Sequence, residues 1–432
     1  MTPPLKIAII GGGPRGLWAV EELSEHTSVP VDITVFDPYP AGAGAVYRPD
    51  QPRCWRLNVT SSIVTTQRDT LDAWRARHGD LDLDPFPPRA VVGEYLIDCW
   101  NDAVRRFPPD SSVHHIARRV ASVHRTDAGF AVDGETFDHV LQCTGHAHDH
   151  PGALTHQRSR VPVTGLYWGA TVPSQPRLIG VRGAALTFID VCLRYGDTAE
   201  TIYPVSRSGR FMEVKPDPAR PAPTFSPALH AQARAARDAD AVREALVNAA
   251  QSLRDFSEES LAEVLVGEDF TGDAVAEFRT SLAVARGEHA LTPAAAVGAA
   301  FRGLFQEFVD THAQAGPIPG FVELARTLER VAFGPPPVTA DAVLSLIDSR
   351  IVDTTYLGRP DVIDAWLEGH GPHIDVLIDA TIAPQGQPAP FQDVPGVVTI
   401  GRMNERELPG HDSLNRTVHS DIPQWAEKVG HP

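Results

Sequence analysis

Residues 5–37 read LKIAIIGGGPRGLWAVEELSEHTSVPVDITVFD, and this stretch decides the fold. From Leu5 to Ile10 an apolar run enters a glycine cluster, as a buried parallel strand does. Leu17, Val20 and Leu23 then recur at near-helical spacing, and Val31 to Phe36 forms a second apolar run. The pattern predicts strand, tight turn, helix and strand. Gly11, Gly13 and Gly16 make a GxGxxG turn that also holds Pro14 and Arg15. In such a turn the first glycine permits the tight bend and the second lets the backbone approach a pyrophosphate. The third lets the helix pack on the strand. The helix start then offers unpaired N–H groups and a positive dipole end to the phosphates. Asp37 closes the second strand, where a carboxylate accepts hydrogen bonds from both ribose hydroxyls and repels a 2′-phosphate. Arg15 either reaches the pyrophosphate or stays in solvent.

Outward from this unit, residues 38–68 are rich in Pro, Gly and Arg and read as loop, and 91–107 as an amphipathic helix. Short alternating runs between Val113 and Val132 suggest a small antiparallel meander. FDHVLQCTG (137–145) is an apolar strand ending in Thr144 and Gly145, which would pass close to the dinucleotide. A second strand–helix–strand unit spans RLIGVRGAALTFIDVCLRYGDTAETIYPVSRSGR (177–210). Its turn keeps Gly183 but has Ala185 where a glycine is expected. Its second strand delivers Arg207, Ser208 and Arg210 to the place of a 2′-phosphate, whose geometry an arginine fork matches. A solvated turn is the other reading of these residues. Residues 228–350 are Ala-rich and helical, with one helix starting at Thr292 and Pro293 and stopping before Gly316. Strand character returns at IDVLIDAT (374–381) and GVVTIG (396–401).

The 432-residue chain carries 38 basic and 55 acidic residues, a net charge of −17, which makes nucleic acid and anionic membrane poor partners. Its four cysteines, Cys54, Cys99, Cys143 and Cys192, form no CxxC pair, so a redox disulfide is not expected and buried thiols are. No apolar run reaches the length of a membrane span, and the expectation is a cytoplasmic protein. His146, His148, His150 and His156 cluster without a carboxylate or cysteine that would complete a familiar metal set. No metal site is expected, and no residue stands out as catalytic. Tyr167 and Trp168 lie between the two units, as core or as lining of a cleft.

IIGGGPRG (9–16), RLNV (56–59), PPRAVVGEYL (87–96), the CTG exit and VRGAALTFID (181–190) come in order. Together they resemble the bacterial FAD–NAD(P)-binding family of two-dinucleotide-domain flavoproteins, which is distantly similar to flavin-dependent N-hydroxylating monooxygenases. The resemblance implies an α/β fold of two nested Rossmann-like dinucleotide-binding domains with a helical insertion. Residues 1–160 would begin the FAD domain and 161–227 form the NAD(P) domain. Residues 228–350 would be the insertion, and 351–432 the return to the FAD domain with a C-terminal tail. The cofactors implied are FAD and NADP (as NADPH), with Asn58 and Gly401 joining the FAD site and Gly183 the NADPH site. Arg402 stands where many such flavoproteins carry an aspartate for the ribityl chain. The implied reaction is N-hydroxylation of a small amine or amino acid, in which NADPH reduces the flavin and molecular oxygen adds to it as a flavin hydroperoxide. A flavin-dependent amine oxidase or dehydrogenase, or a flavin-binding protein without turnover, are the alternatives.

Overall fold

The computed structural model describes residues 3–145, 150, 152–167, 175–382, 390–402, 410 and 413–431. It divides into two compact units. One comprises Met1–Ala147 with Pro384–Pro432, and the other, His148–Ala383, is nested within it. His146, His148 and Trp168, singled out in the sequence, lie outside the described residues.

In the first unit the opening stretch forms β1 (Leu5–Ile10), α1 (Pro14–His26) and β2 (Val31–Phe36), with β1 and β2 parallel in register Leu5↔Val31 to Ile10↔Phe36. Two helices follow, α2 (Leu71–Arg77) and α3 (Arg89–Arg105), and then β3 (Ser112–Ile116). A meander of β4 (Val123–Thr126), β5 (Gly129–Val132) and β6 (Glu135–Phe137) leads to β7 (His139–Gln142). After the nested unit come β12 (Val398–Thr399) and α13 (Asp421–Gly430). Among the described residues the main sheet has the order β12-β7-β1-β2-β3, with every neighbouring pair parallel.

The expected meander is therefore shifted. Its first strand, β3, joins β2 in parallel, with Asp32↔Ser112 to Phe36↔Ile116 in register, and the antiparallel hairpins begin only at Val123. Side chains hold that edge: the Val31 N–H donates to Ser111 Oγ at 3.1 Å and the Ser112 hydroxyl to Asp32 at 2.7 Å.

Strand alternation sorts the core of this unit. Ile7 and Ile9 pack with Leu17, Leu23, Tyr95 and Trp425, on the side covered by α1, α3 and α13. Ala8 and Ile10 face Phe36, Phe130 and Val132, on the meander side. Both faces are covered, which is why β1 reads as a run rather than as an alternation.

Arg416 fastens the C-terminal segment to α1, donating to Glu21 at 3.0 Å and to Glu22. Burial drives the Glu21 pKa up to about 7, and the Arg416 charge opposes it only in part. Because the folded pKa lies above the ordinary value, the folded state binds the proton more tightly, and the resulting stability is lost as pH rises from about 4.5 through about 7. Glu21→Gln should thus flatten the pH dependence of unfolding between pH 5 and 8, removing about 2–3 kcal/mol of slope. Urea titrations at several pH values check this. Parallel profiles for the two proteins would refute the assignment.

The nested unit opens with β8 (Val163–Gly165), β9 (Leu178–Arg182), α4 (Leu186–Tyr195) and β10 (Thr201–Val205). Seven helices follow: α5 (Pro227–Ala235), α6 (Ala239–Leu253), α7 (Glu258–Val266), α8 (Ala274–Arg286), α9 (Pro293–Ala315), α10 (Phe321–Ala332) and α11 (Pro337–Asp348). Last come α12 (Asp361–Glu368) and β11 (Val376–Asp379). The helical core gathers Phe301, Leu304 and Phe308 of α9 with Leu246 of α6 and Phe321 and Leu328 of α10. Helix α9 starts as its sequence indicates, with the Thr292 hydroxyl accepting the Ala295 N–H at 3.2 Å.

The parallel sheet of this unit, among the described residues, has the order β10-β9-β11-β8. The strand IDVLIDAT thus completes the second sheet, between β9 and β8. The chain returns to the first unit only at Pro384, not at residue 351 as the sequence suggested. An apolar run states that a strand is buried on both faces but not in which sheet it lies.

Candidate dinucleotide site

The first site grows from the end of β1. Gly11 has φ +110°, and a Cβ there would stand 2.6 Å from the Cys143 carbonyl oxygen. Its N–H donates to Phe36 O at 2.9 Å, so the bend is fixed between β2 and β7. A Cβ on Gly16 would stand 2.3 Å from Gly11 O, because α1 crosses the turn at backbone contact. Gly13 differs. It is the N-cap of α1, and a Cβ there would meet only Gly44 Cα, at 3.8 Å. Among the described residues nothing else fills that space, and the first N–H groups of α1, which has no acidic residue in its first turn, point to this end.

Around this cradle the chain brings together most of the residues picked out by sequence. Pro14 is the first residue of α1. Asp37 is buried; its Oδ2 accepts the Gly12 N–H at 2.7 Å and its Oδ1 the Tyr39 N–H at 2.8 Å. Burial raises its pKa, and those two N–H groups pull the other way. Each carboxylate oxygen keeps a second lone pair for a hydroxyl. Thr144 and Gly145 follow β7, and Gly401, at φ +89°, follows β12 beside them. Arg15 is half-buried rather than solvated: its guanidinium donates to Ser413 O at 3.3 Å and lies 5.1 Å from the Trp18 ring. Its stem passes where a Cβ on Gly401 would stand 3.4 Å from Cδ. Asn58 follows Leu57, whose N–H donates to Pro87 O at 2.9 Å.

Residues 41–44, read only as loop, form a second wall. The Gly42 N–H donates to Gly12 O at 2.6 Å, and a Cβ on Gly44 would stand 2.7 Å from Gly13 Cα. The signal was present in the alternating glycines of AGAGA (41–45). Gly93 fits the same loop against α3, where a Cβ would stand 1.6 Å from Tyr47 O.

The nested unit repeats the turn with altered residues. Gly183 has φ +121° and donates its N–H to Val205 O at 2.7 Å, as Gly11 does to Phe36. Ala185 is the N-cap of α4 with φ −99° and ψ −154°, close to the extended cap conformation of Gly13. Phe188 takes the third position and stacks on Phe211. Tyr167 donates its hydroxyl to Asp190, which is buried in α4. Arg182 and Asp379 pair at 3.3 Å at the carboxyl ends of β9 and β11, a contact the sequence did not suggest.

After β10, Arg207 and Ser208 are exposed in a turn that the Gly209 N–H closes by donating to Ser206 Oγ at 3.1 Å. Arg210 is a correction to the sequence reading. It is buried, with Nε on Glu277 at 3.0 Å and its two terminal nitrogens on Asp269 at 2.8 and 3.1 Å, so its fork is spent on the helical insertion. Among the described residues, no three histidine, cysteine or acidic side chains converge as a metal ion would require, and no helix is long and apolar enough to cross a membrane. Cys99, Cys143 and Cys192 are buried, and burial pushes all three thiol pKa values up, that of Cys99 to about 11.

A parallel sheet with a glycine turn running into a helix, repeated in a nested unit, defines a dinucleotide-binding α/β protein of the Rossmann-like class. Residues 8–147 match the family described as FAD-NAD(P)-binding. Over 142 residues the chain is 32% identical to a nitrosuccinic acid synthase of Aspergillus oryzae, covering 28% of this chain and 22% of that protein. Over 245 residues it is 28% identical to an L-aspartate N-monooxygenase (nitrosuccinate-forming) of Streptomyces cremeus, covering 43% of this chain and 36% of that one. The matches thus span about a third or less of those relatives. Cyclohexanone monooxygenase of Rhodococcus sp. Phi1, solved with NADP+, overlays 92% of this chain on 74% of its own at a TM-score of 0.44 and 15% identity.

Proposed function

We propose that the protein is an FAD- and NADPH-dependent monooxygenase that N-hydroxylates a small amine or amino acid. The observation that carries the cofactor half is the open space over Gly13, faced by the start of α1 and walled by Gly44, with Asp37 at the end of the neighbouring strand. The residues fit FAD. Gly11, Gly13, Pro14, Arg15 and Gly16 would take the pyrophosphate and Asp37 the ribose, with Thr144, Gly145, Gly401 and Asn58 toward the rest of the cofactor. The bound flavin supplies electron transfer from NADPH and the activation of molecular oxygen. The protein has to bind, orient and exclude water. The substrate half leans on the nitrosuccinic acid synthase and the L-aspartate N-monooxygenase to which the chain is similar, and aspartate, named for the second, is the first amine to test.

Gly13→Val tests the site. A side chain there has room in the protein but not beside a pyrophosphate, so the variant should be folded and colourless. Stoichiometric FAD in it would overturn the placement. Product analysis by mass spectrometry with NADPH, oxygen and candidate amines tests the reaction. A hydroxylated or further oxidised amine supports it, and hydrogen peroxide alone, with an imine-derived product, marks an oxidase instead.

For the second nucleotide, Gly183 and the exposed pair Arg207 and Ser208 would hold NADPH. With Arg210 engaged elsewhere, Arg207 is the member of that pair left for the 2′-phosphate. A charge-assisted hydrogen bond contributes about 1.5–3 kcal/mol, and exposure pulls this to the lower end, so about a 10-fold effect follows. Arg207→Ala should raise the KM for NADPH by about that factor and leave NADH nearly unchanged. Equal flavin reduction rates with NADH and NADPH in the wild type would sink the preference.

A further inference from the structure

Gln142 is a fully buried glutamine at the last position of β7, two residues before Thr144. A primary amide there has to satisfy both its ends. Its Oε1 accepts the backbone N–H of Phe391 at 3.2 Å, and its Nε2 donates to the Thr144 hydroxyl oxygen at 3.2 Å. The orientation of the amide follows from chemistry. A backbone N–H can only donate, so the end facing Phe391 is the carbonyl and the end facing Thr144 is the NH2. The Thr144 oxygen is then an acceptor toward Gln142, and its own proton is directed elsewhere. Among the described residues nothing accepts that proton. Thr144 also sits against the fingerprint turn: a Cβ on Gly11 would stand 3.0 Å from Thr144 N.

We propose that Gln142 is a positioning residue that, through Thr144, presents a hydroxyl donor to an acceptor atom of the dinucleotide bound at the Gly11–Gly16 turn. This rests on the FAD reading above. A merely structural glutamine would hold the exit loop without setting the polarity of Thr144. A positioning glutamine sets it, and the bound cofactor registers the difference.

The test is titration of the apoprotein with FAD, followed by flavin fluorescence, on folded variants checked by circular dichroism. Thr144→Val should weaken FAD about 3- to 10-fold, the worth of one hydrogen bond, and Thr144→Ser should restore it. Gln142→Glu keeps the shape but, when ionised, has acceptors only. At a pH high enough to ionise this fully buried carboxyl, it captures the Thr144 proton while still accepting from Phe391, and should weaken FAD as much as Thr144→Val does. Combining the two should cost nothing more. On acidification the protonated Glu side chain can donate to Thr144 again, so affinity should recover in Gln142→Glu and not in Thr144→Val. Unchanged affinity in Thr144→Val, or losses that multiply in the double variant, would overturn the proposal. Should Gln142→Glu not fold, the Thr144→Val and Thr144→Ser pair still decides. Gly13→Val keeps the two readings distinct: if it loses FAD while Thr144→Val binds normally, only the role of Gln142 and Thr144 fails. If Gly13→Val retains FAD, the FAD placement itself is wrong.

Discussion

Gly16→Ala should yield protein with almost no bound FAD and a melting temperature lowered by a few °C. Two effects compete. Alanine in a helix is favoured over glycine by about 1 kcal/mol. Against that, the new methyl would stand 2.3 Å from Gly11 O. Both sides of this clash are backbone, so no side chain can swing away, and overpacking of this kind costs about 1–3 kcal/mol or more. The clash wins. Helix α1 must lift off the turn, which displaces the N–H groups that would face the pyrophosphate. Gly13→Ala is the control, since its methyl meets only Gly44 Cα at 3.8 Å. That variant should melt near the wild type and still lose much of its FAD. The contrast separates a glycine required by the fold from one required by the ligand. If Gly16→Ala keeps wild-type flavin content and melting temperature, the tight crossing of α1 over the turn is not present in the protein.

The first dinucleotide unit was legible because its constraints are local. The positive φ of Gly11, the close approach at Gly16 and the position of Asp37 all fall within one strand–helix–strand passage. The second unit was legible for the same reason, but the cap conformation that Ala185 shares with Gly13, at a position where the sequence led us to expect a glycine, was not. Partner choice over long separations was not. The run IDVLIDAT shows a buried strand, yet nothing in it says that Val376 pairs with Ile179 in the second sheet. Likewise Val113 belongs to an alternating stretch, and its parallel pairing with Ile33 depends on how α2 and α3 bring the chain back. The alternating glycines at 41–45 marked the wall, but not its partners, because those glycines answer to Gly12, Gly13 and Leu96, none of them a sequence neighbour. Gln142 went unremarked because a polar residue at a strand end is ordinary until Phe391 and Thr144 are seen on its two ends.

Arg210 is the sharpest case of this kind, since its partners Asp269 and Glu277 lie 59 and 67 residues further on. Replacing it with methionine should cost about 3–5 kcal/mol of stability, the range for breaking a buried ion pair from one side. Burial by itself would raise the Asp269 pKa, but the hydrogen bond from Arg210 and the charge of Arg330 hold it below the usual carboxylate range. With Arg210 gone, Arg330 still reaches Asp269 at 2.7 and 2.8 Å, so Asp269 keeps one cation. Glu277 then keeps only the N–H and hydroxyl of Thr271. Methionine fills the volume of the stem and supplies none of the three donors. The wild type has a matching pH signature. Since the folded pKa of Asp269 is depressed, its contribution is present at neutral pH and is lost as acid protonates it. In Arg210→Met that acid sensitivity should shrink along with the overall stability. Nicotinamide preference should not move, because the fork of Arg210 faces the insertion and not the turn that holds Arg207. Urea unfolding and stopped-flow reduction with NADPH and NADH, run on Arg210→Met beside Arg207→Ala, give opposite patterns if this is right. Arg210→Met loses stability at unchanged selectivity, and Arg207→Ala loses selectivity at unchanged stability. A stable Arg210→Met protein with impaired NADPH use would return Arg210 to the phosphate site and dissolve the ion-pair cluster as its role.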